Sequence, residues 1–307
     1  MAALEKGGII RLSATLNKTR VLAVSGLVTG AMVWGLIWYP YRVLEQAGVG
    51  GAFATLVTYA VALGIGFVAF ARELRVARRS WLLAWIAITA GWTNLAYVLA
   101  VIEGEVMRVM LLFYLAPLWT VLFSRALLGE RMGSVGALVV LLSLAGAATM
   151  LWEPEGGLPL PANRAEWMGL SAGLMFALSN VLARKAHEHS VAMKSVAIWF
   201  GVTVVCVIYG AGQADFLPGA QALAPAILGL MVLVGVVLFA LSLIVQHGLA
   251  HIAANQAIVI MLLELVFAAI AAWYLAGEAM QAREWAGGAM IVAASLFSGK
   301  LTEHPPA

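Results

Sequence analysis

One carboxylate lies deep inside an apolar stretch of this 307-residue chain. Glu264 falls within the apolar run 252–276, where an ionised side chain needs a partner or a water-filled cavity. Two interpretations are open. Glu264 could be a proton site or an anchor for a substrate ammonium group, or it could be a neutral side chain that hydrogen-bonds a neighbouring helix.

Aromatic side chains are concentrated at the end of the first apolar run, in "WGLIWYPYR", residues 34–42. Trp34, Trp38 and Tyr41 follow one another at i, i+4 and i+7, which places them on one helical stripe. Tyr39 and Tyr41 fit the aromatic belt of a membrane–water interface. Trp34 lies about 20 Å along its run, at 1.5 Å per residue, which is too deep for a belt. We predict that Trp34 and Trp38 line a ligand path, with simple helix packing as the alternative.

Further polar or aromatic side chains reach similar depth and complete the candidate substrate-binding set. They are Tyr59, Asn94, Tyr97, Trp119, Asn180 and Ser242. Asn94 and Tyr97 are three residues apart and share a helix face. Asn94 and Asn180 could bind the carboxylate or ammonium group of an amino acid. Equally, they could tie helices together, an interaction averaging about 0.6 kcal/mol in one membrane protein.

The composition indicates an integral membrane protein. Hydrophobic residues make up 63% of the chain and charged residues 11%, and the mean hydropathy is +0.97, whereas soluble domains carry about 25% charge. No phosphate-binding loop, nucleophile elbow or zinc-type Cys/His spacing occurs, and a single cysteine, Cys206, cannot form an intrachain disulfide. We therefore expect no catalytic residue, no metal, no cofactor and no nucleic-acid partner.

Ten apolar runs approach the length of about 20 residues that a membrane-spanning helix needs. The predicted fold is therefore an all-α membrane protein with ten transmembrane helices and short connections, leaving no room for a soluble catalytic domain. The predicted spans are residues 21–43, 51–71, 81–101, 106–127, 133–152, 166–185, 194–212, 222–246, 252–276 and 283–300.

The distribution of positive charge predicts the orientation. With the N-terminus inside, fourteen of the 18 lysines and arginines fall on the cytoplasmic side, as the positive-inside rule requires. Four fall outside: Arg42, Arg108, Arg164 and Arg283. Both termini are therefore predicted to be cytoplasmic.

The chain also contains an internal repeat. "GAMVWGLIWYPYR" (30–42) aligns with "AGLMFALSNVLAR" (172–184), which places Arg42 opposite Arg184. "LFSRALLGE" (122–130) aligns with "IAAWYLAGE" (270–278), and both segments end in Gly-Glu. We interpret Glu130 and Glu278 as structural residues that fix the turn after the glycine.

The repeat predicts two inverted halves. Residues 1–152 form an N-terminal five-helix repeat, 153–165 an external loop, and 166–307 a C-terminal repeat with a short cytoplasmic tail. Because five is odd, the second copy must sit upside down in the membrane. Inverted repeats are typical of secondary transporters, whose substrate site lies near the bilayer midplane between the halves.

These motifs resemble the drug/metabolite transporter superfamily, EamA type. The matching features are Trp34-Gly35 with Arg42 downstream, Pro117 in the fourth span, and the pairs Gly129-Glu130 and Gly277-Glu278. The first span, rich in tryptophan and tyrosine, is similar to that of bacterial aromatic amino acid exporters. The second copy departs from the pattern, since Phe176-Ala177 replaces Trp-Gly and Glu264-Leu265 stands where a proline is expected.

The resemblance implies export across the bacterial inner membrane through a cavity built by spans one, three, four, six, eight and nine. The expected function is therefore export of amino acids, aromatic ones favoured, by alternating access. Efflux of other apolar or cationic metabolites or drugs is the alternative within transport. A membrane enzyme is disfavoured because the chain has a single deep carboxylate and no clustered histidines. A receptor or purely structural protein is disfavoured by the repeat. The expected partners are a small-molecule substrate and the lipid bilayer, while the oligomeric state and proton coupling are left open.

Overall fold

All regular structure in the described part of the chain is helical. The computed structural model describes residues 2–75, 80–130, 133–152, 160–251, 257 and 260–298. Hydrophobic residues dominate nearly every helix, so burial against other helices or against lipid is what positions them.

The first half of the chain forms five helices, two of them broken. They are α1a (Ala2–Leu36) and α1b (Trp38–Gln46), α2 (Gly51–Ala69), α3 (Trp81–Glu103), α4a (Val106–Phe113) and α4b (Ala116–Leu128), and α5 (Ser134–Leu151). A short helix, Ala71–Arg75, follows α2.

The described residues of the second half also form a series of helices. Its helices are α6 (Arg164–Lys185), α7 (Val191–Ala211), α8 (Pro225–His251), α9 (Leu263–Ala271) and α10 (Ala282–Ser298). A π-helical turn, Ala272–Ala276, extends α9, and a 3₁₀ turn, Ala220–Leu223, precedes α8.

Seven helices within the described residues are long and apolar enough to cross a membrane, which confirms a multi-pass membrane protein. They are Thr19–Gln46, Gly51–Ala69, Trp81–Glu103, Val106–Leu128, Ser134–Leu151, Val191–Ala211 and Pro225–Leu249. Of the remaining predicted spans, α9 is a shorter apolar helix, α10 has 17 residues, and α6 carries charged residues at both ends. Ten crossings stay a prediction.

Two helix boundaries differ from those expected. The helix of the first span already begins at Ala2, because the polar residues before the apolar run continue the same helix. Helix α8 extends to His251, beyond the predicted end at 246. There Nδ1 of His251 lies 2.8 Å from the carbonyl oxygen of His247, a contact made within one helix. Residues 252–256, at the predicted start of the ninth span, lie outside the described residues.

The breaks in α1 and α4 lie in the interior of the fold. Helix α1 is interrupted at Ile37 and α4 at Tyr114 and Leu115. In α4 the cause is Pro117, in the first turn of α4b, since proline has no N–H to donate to the preceding turn and its ring clashes there. Discontinuous helices are a feature of transporter binding sites.

Ion pairs bring the ends of several helices together at one end of the bundle, here called the Arg42 end. At the start of α4, Arg108 pairs with Glu166 at the start of α6, and with Glu284 at the start of α10. At the start of α6, Arg164 pairs with Glu103 at the end of α3.

The opposite end is called the Arg184 end. There the last turn of α6 contacts the end of α4 through Arg184 and Glu130, and through Lys185 and the Leu127 carbonyl oxygen. Helix α1 therefore runs toward the Arg42 end, while α6, its repeat counterpart, runs away from it.

A buried apolar cluster closes the Arg42 end. It contains Trp38 of α1b, Val101 of α3, Val106 of α4a, Ala165 of α6 and Leu265 of α9. These five helices thus meet in one packed layer, called the seal below. A larger cluster holds α1b, α2, α3, α7 and α8 together beside it.

Candidate functional site

Glu264 lies in the first turn of α9, directly against α1. A Cβ placed on Gly35 of α1a would come within 2.6 Å of the Glu264 carbonyl oxygen, so the two backbones touch here. The Glu264 carboxyl and the Tyr114 hydroxyl, at the break in α4, are hydrogen-bond partners. Glu264 is partly buried and lies among protein atoms.

Aromatic rings from three helices gather beside this carboxyl. The Tyr97 ring packs edge-on against Phe113, with 5.5 Å between centroids. Phe113 also contacts Tyr114 at 6.0 Å and Phe176 at 5.1 Å. Glu264, Tyr114 and the other rings thus form one polar–aromatic group, which we call the central site.

Several buried hydrogen-bond donors of the predicted substrate-binding set have no partner among the described residues. They are the Tyr97 hydroxyl and the indole N–H groups of Trp38 and Trp119. Leaving a buried donor unsatisfied costs about 1–3 kcal/mol. The Tyr97 hydroxyl, which belongs to the central site, is therefore available to a ligand that carries an acceptor.

Trp34 and Trp38, which the sequence places on one helical stripe, lie in different surroundings. Trp38 is 1% exposed and belongs to the seal, and the Arg42 guanidinium lies over its ring at 5.0 Å. Trp34, one turn deeper, is only partly buried and packs against the larger cluster. The structure therefore makes Trp38 part of the closure and leaves Trp34 the more accessible ring.

The amide and hydroxyl groups of the predicted set are mostly occupied. The Tyr59 hydroxyl donates to Asn94 Oδ1, and Asn94 Nδ2 donates to the Ala90 carbonyl oxygen at 2.8 Å. Asn94 therefore ties α2 to α3, with one N–H left over. Ser242 donates to the Leu238 carbonyl oxygen of its own helix at 2.8 Å. Asn180 is exposed on α6 and lies apart from the Tyr59–Asn94 pair.

A polar cavity of about 420 Å³ opens at the Arg42 end, which the sequence did not suggest. Its lining includes Arg108 and four carboxylates: Glu103, Glu105, Glu166 and Glu278. Arg108 Nε lies 3.0 Å from Glu166 Oε1. Val106 belongs to the seal and donates its N–H to Glu278 at 2.8 Å. The cavity therefore borders the seal.

The two Gly-Glu pairs do more than fix a turn. Gly129 and Gly277 both adopt left-handed backbone conformations, with φ of 72° and 68°, as a helix-ending glycine commonly does. The carboxylates that follow them, Glu130 and Glu278, form ion pairs with Arg184 and Arg42. The repeat alignment contained this signal, since it places the two arginines opposite each other and the two glutamates opposite each other.

Comparison with known proteins gives the family context. Residues 163–299 match the EamA-like transporter family. This match and the two relatives described next support the drug/metabolite transporter superfamily. An uncharacterized transporter, PA0485, of Pseudomonas aeruginosa is 26% identical over 183 residues, 57% of each chain. Protein RarD of Salmonella typhimurium is 29% identical over 145 residues, 47% of this chain and 46% of RarD.

The chain spans about half the length of the curated relatives it matches. A solved crystal structure of a protein is similar along 92% of this chain and 99% of its own, with a TM-score of 0.59 and 16% identity. That similarity shows a shared fold. The comparisons therefore support the transporter superfamily through residues 163–299 and the two partial relatives, and they show a shared fold over most of the chain. The resemblance to aromatic amino acid exporters stays a prediction.

Proposed function

We propose that the protein is an inner-membrane transporter that exports amino acids, aromatic ones favoured, by alternating access between two inverted five-helix repeats. The observation that carries this proposal is the central site. It combines the carboxyl of Glu264, hydrogen-bonded to Tyr114, with several aromatic rings and unpaired donors.

An aromatic amino acid has the three chemical features that this site complements. Its ammonium group suits the Glu264 carboxylate, because a buried charge needs an opposite charge and hydrogen bonds. Its carboxylate can accept from the unpaired Tyr97 hydroxyl and Trp119 indole N–H. Its ring can pack on Phe113 or Trp34, where ring–ring contact adds about 0.5–1.5 kcal/mol beyond area burial.

The arrangement of the helices supports alternating access. The seal closes the Arg42 end with residues from α1, α3, α4, α6 and α9. The repeat counterparts α1 and α6 run in opposite directions, which is what inverted repeats require. We assign the Arg42 end to the external side, because it holds the four basic residues that the positive-inside rule places there.

Efflux of apolar or cationic metabolites is the second candidate, favoured by the same carboxylate and rings. The two candidates differ in whether the substrate needs a carboxylate of its own. An amine such as 2-phenylethylamine keeps the ring and the ammonium group of phenylalanine but lacks its carboxylate.

The deciding experiment uses liposomes that contain only this protein, with empty liposomes as the control. Uptake of labelled phenylalanine, tryptophan, alanine and 2-phenylethylamine is measured with and without a pH gradient. Saturable transport of the aromatic amino acids above that of alanine supports the proposal. Transport of 2-phenylethylamine without the amino acids favours the second candidate, and no transport of any compound contradicts both.

A further inference from the structure

Two ion pairs join the halves of the chain at opposite ends of the bundle. Arg42 Nη2 lies 3.0 Å from Glu278 Oε1, which joins α1b to the end of α9. Arg184 Nη2 lies 2.6 Å from Glu130 Oε1, which joins α6 to the end of α4. In the repeat alignment these two pairs correspond, and each takes its arginine from one half and its glutamate from the other.

The local backbone around the two glutamates is the same. Gly129 and Gly277 have ψ of 14° and 16° in addition to their similar φ. The Glu130 N–H donates to the Ser124 carbonyl oxygen, and the Glu278 N–H to that of Ala272, each six residues earlier. Both carboxylates are therefore presented by the same helix-ending motif.

Direct backbone contact accompanies each ion pair. On the α1–α9 side, a Cβ on Gly35 would lie 3.0 Å from the Ala268 nitrogen, in addition to its clash with Glu264. On the α4–α6 side, a Cβ on Gly173 would overlap the Phe113 carbonyl oxygen. Small residues let transmembrane helices pack closely, so α1 with α9, and α6 with α4, are tightly joined pairs.

The two ends of the bundle differ, although both ion pairs are intact. At the Arg42 end the seal joins α1 to α4 and α6. At the Arg184 end, none of the apolar clusters among the described residues joins α1 to α4 or α6. A pair that acted as a gate would be broken at the unsealed end, yet Arg184–Glu130 is formed there.

We propose that the Arg42–Glu278 and Arg184–Glu130 ion pairs stay intact throughout the transport cycle. We call such a permanent pair a staple, and a pair that breaks during the cycle a gate. The two staples define two moving units, α1 with α9 and α4 with α6. Each unit mixes helices from both sequence halves. This inference rests on the proposed transport function, which requires the units to move relative to each other.

A second set of bonds then holds the units together at the Arg42 end. Arg42 also donates to the carbonyl oxygens of Val101 at 2.8 Å and Gly104 at 2.6 Å. The Val106 N–H donates to Glu278 Oε2 at 2.8 Å. These bonds connect the α1–α9 staple to the corner between α3 and α4. They must break when that end opens, while the staple itself persists.

Cross-linking separates a staple from a gate. Cys206 is the chain's single cysteine, so Cys206→Ala gives a cysteine-free parent. The test variant carries Arg42→Cys with Glu278→Cys, which bridges α1 and α9. The matched control carries Arg42→Cys with Glu105→Cys, which bridges α1 to the α3–α4 corner and shares the same loss of Arg42. Each is treated with a short bis-methanethiosulfonate linker and assayed for transport before and after reduction.

The two cross-links are expected to differ. In the α1–α9 variant the transport rate should stay within about two-fold of that of the uncross-linked sample, about 0.4 kcal/mol in the barrier. In the corner variant transport should be lost on cross-linking and return on reduction. Loss of transport in the α1–α9 variant, restored by reduction, would make the pair a gate and overturn the proposal. Unchanged transport in the corner variant would overturn it too.

Two further measurements apply if loss of Arg42 prevents folding. The Arg184→Cys with Glu130→Cys variant replaces a pair whose side chains are 48% and 45% exposed, and such exposed pairs contribute little to stability. Its cross-link should leave transport unchanged, and inhibition would overturn the proposal.

The second measurement is electron paramagnetic resonance between pairs of spin labels. The distance distribution between labels at Tyr39 and Tyr274, within one unit, should be narrow and unchanged by substrate. That between Tyr39 and Trp167, in different units, should shift. The reverse pattern would contradict the two units.

The two proposals can fail separately. If the cysteine-free parent transports none of the four compounds, the proposed function fails. If it transports them but the cross-links or the spin-label distances give the opposite of the expected pattern, only the two moving units fail.

Discussion

Glu264 combines a costly location with a specific partner. It is held among protein atoms at the contact of α9 with α1, and the hydroxyl of Tyr114 on α4 is its hydrogen-bond partner. A carboxylate inside a membrane domain is expensive and usually functional. Tyr114 belongs to the other proposed moving unit, so this hydrogen bond joins α9 of one unit to α4 of the other.

The first prediction concerns proton coupling at Glu264. Glu264→Gln keeps the size and hydrogen-bonding capacity of the side chain but removes its titratable proton. If Glu264 couples transport to protons, the variant should lose the response to a pH gradient while substrate exchange at equal pH largely persists. The measurement is exchange and gradient-driven uptake in liposomes.

Glu105→Gln is the control for this experiment, since Glu105 is an exposed carboxylate at the Arg42 end. It should behave as wild type in both assays. Wild-type pH dependence in the Glu264 variant would assign Glu264 a packing role instead.

The second prediction concerns Trp34. If its ring contacts the substrate ring, Trp34→Ala should impair transport of phenylalanine and tryptophan more than that of alanine. The expected difference is a few-fold, since ring–ring contact adds about 0.5–1.5 kcal/mol and about 1.4 kcal/mol is a factor of ten. Trp34→Phe should retain much of the activity because a ring remains. The measurement is the ratio of uptake rates at matched protein level.

A packing role for Trp34 gives a different result. Both substitutions would then act through folding and lower uptake of every substrate in the same proportion. That outcome would remove Trp34 from the proposed path.

At the scale of elements, two features position the central site. Pro117 interrupts α4, so that Tyr114 and Leu115 lie outside regular helix, and Gly35 lets α1 approach α9 at the level of Glu264. The break makes Tyr114 the residue that reaches the carboxyl.

The third prediction tests the contact of α1 with α9. Gly35→Ala places a methyl group against backbone atoms of Glu264 and Ala268, which cannot move as a side chain can. Overpacking of this kind costs about 1–3 kcal/mol, so the variant should unfold at lower temperature. The measurement is thermal loss of the folded protein in detergent, followed by gel filtration.

Gly64→Ala is the matched control. Gly64 lies in α2, and an added Cβ there meets no atom within 4 Å. Alanine is a better helix former than glycine by about 0.5–1 kcal/mol, so this variant should be as stable as wild type or more so. Equal stability of the two variants would show that α1 and α9 can separate at Gly35 without cost.

At the scale of the whole molecule, the four basic residues predicted to be external lie at one end. Arg42, Arg108 and Arg164 pair with carboxylates there, and Arg283 donates to the Trp152 carbonyl oxygen at the end of α5. Arg184 and Lys185 contact the end of α4 at the opposite end. The four arginines predicted to be external therefore lie at the Arg42 end, and Arg184 and Lys185, predicted to be cytoplasmic, lie at the Arg184 end.

The fourth prediction concerns orientation. Reporters fused after Lys300 and within Arg72–Ser80 should be cytoplasmic, and one near Gly156 should be external, because the fourteen basic residues favour the cytoplasm. Alkaline phosphatase and green fluorescent protein fusions give opposite signals on the two sides. Finding the tail and the Gly156 segment on the same side would contradict the inverted repeat and the alternating access built on it.

The sequence by itself determined the class of protein and much of the helix order. Apolar runs about 20 residues long must cross a membrane as helices, because no water is present there to satisfy the backbone. Most of the described helices lie where the runs predicted, and the glycine turns before Glu130 and Glu278 are present. Glu264 could be singled out because a deep carboxylate is conspicuous in an apolar run.

The tertiary structure alone decided which side chains meet. Hydropathy fixes how deep a residue lies along its helix but not which neighbour it faces, since that depends on the rotation and packing of the helices. Tyr114 was therefore not predicted as the partner of Glu264, and Asn94 turned out to be occupied by Tyr59. Trp38 was expected beside the path and lies in the seal. Each of the two Arg–Glu pairs likewise joins an arginine of one half of the chain to a glutamate of the other. Only the packing of the helices brings these distant segments together.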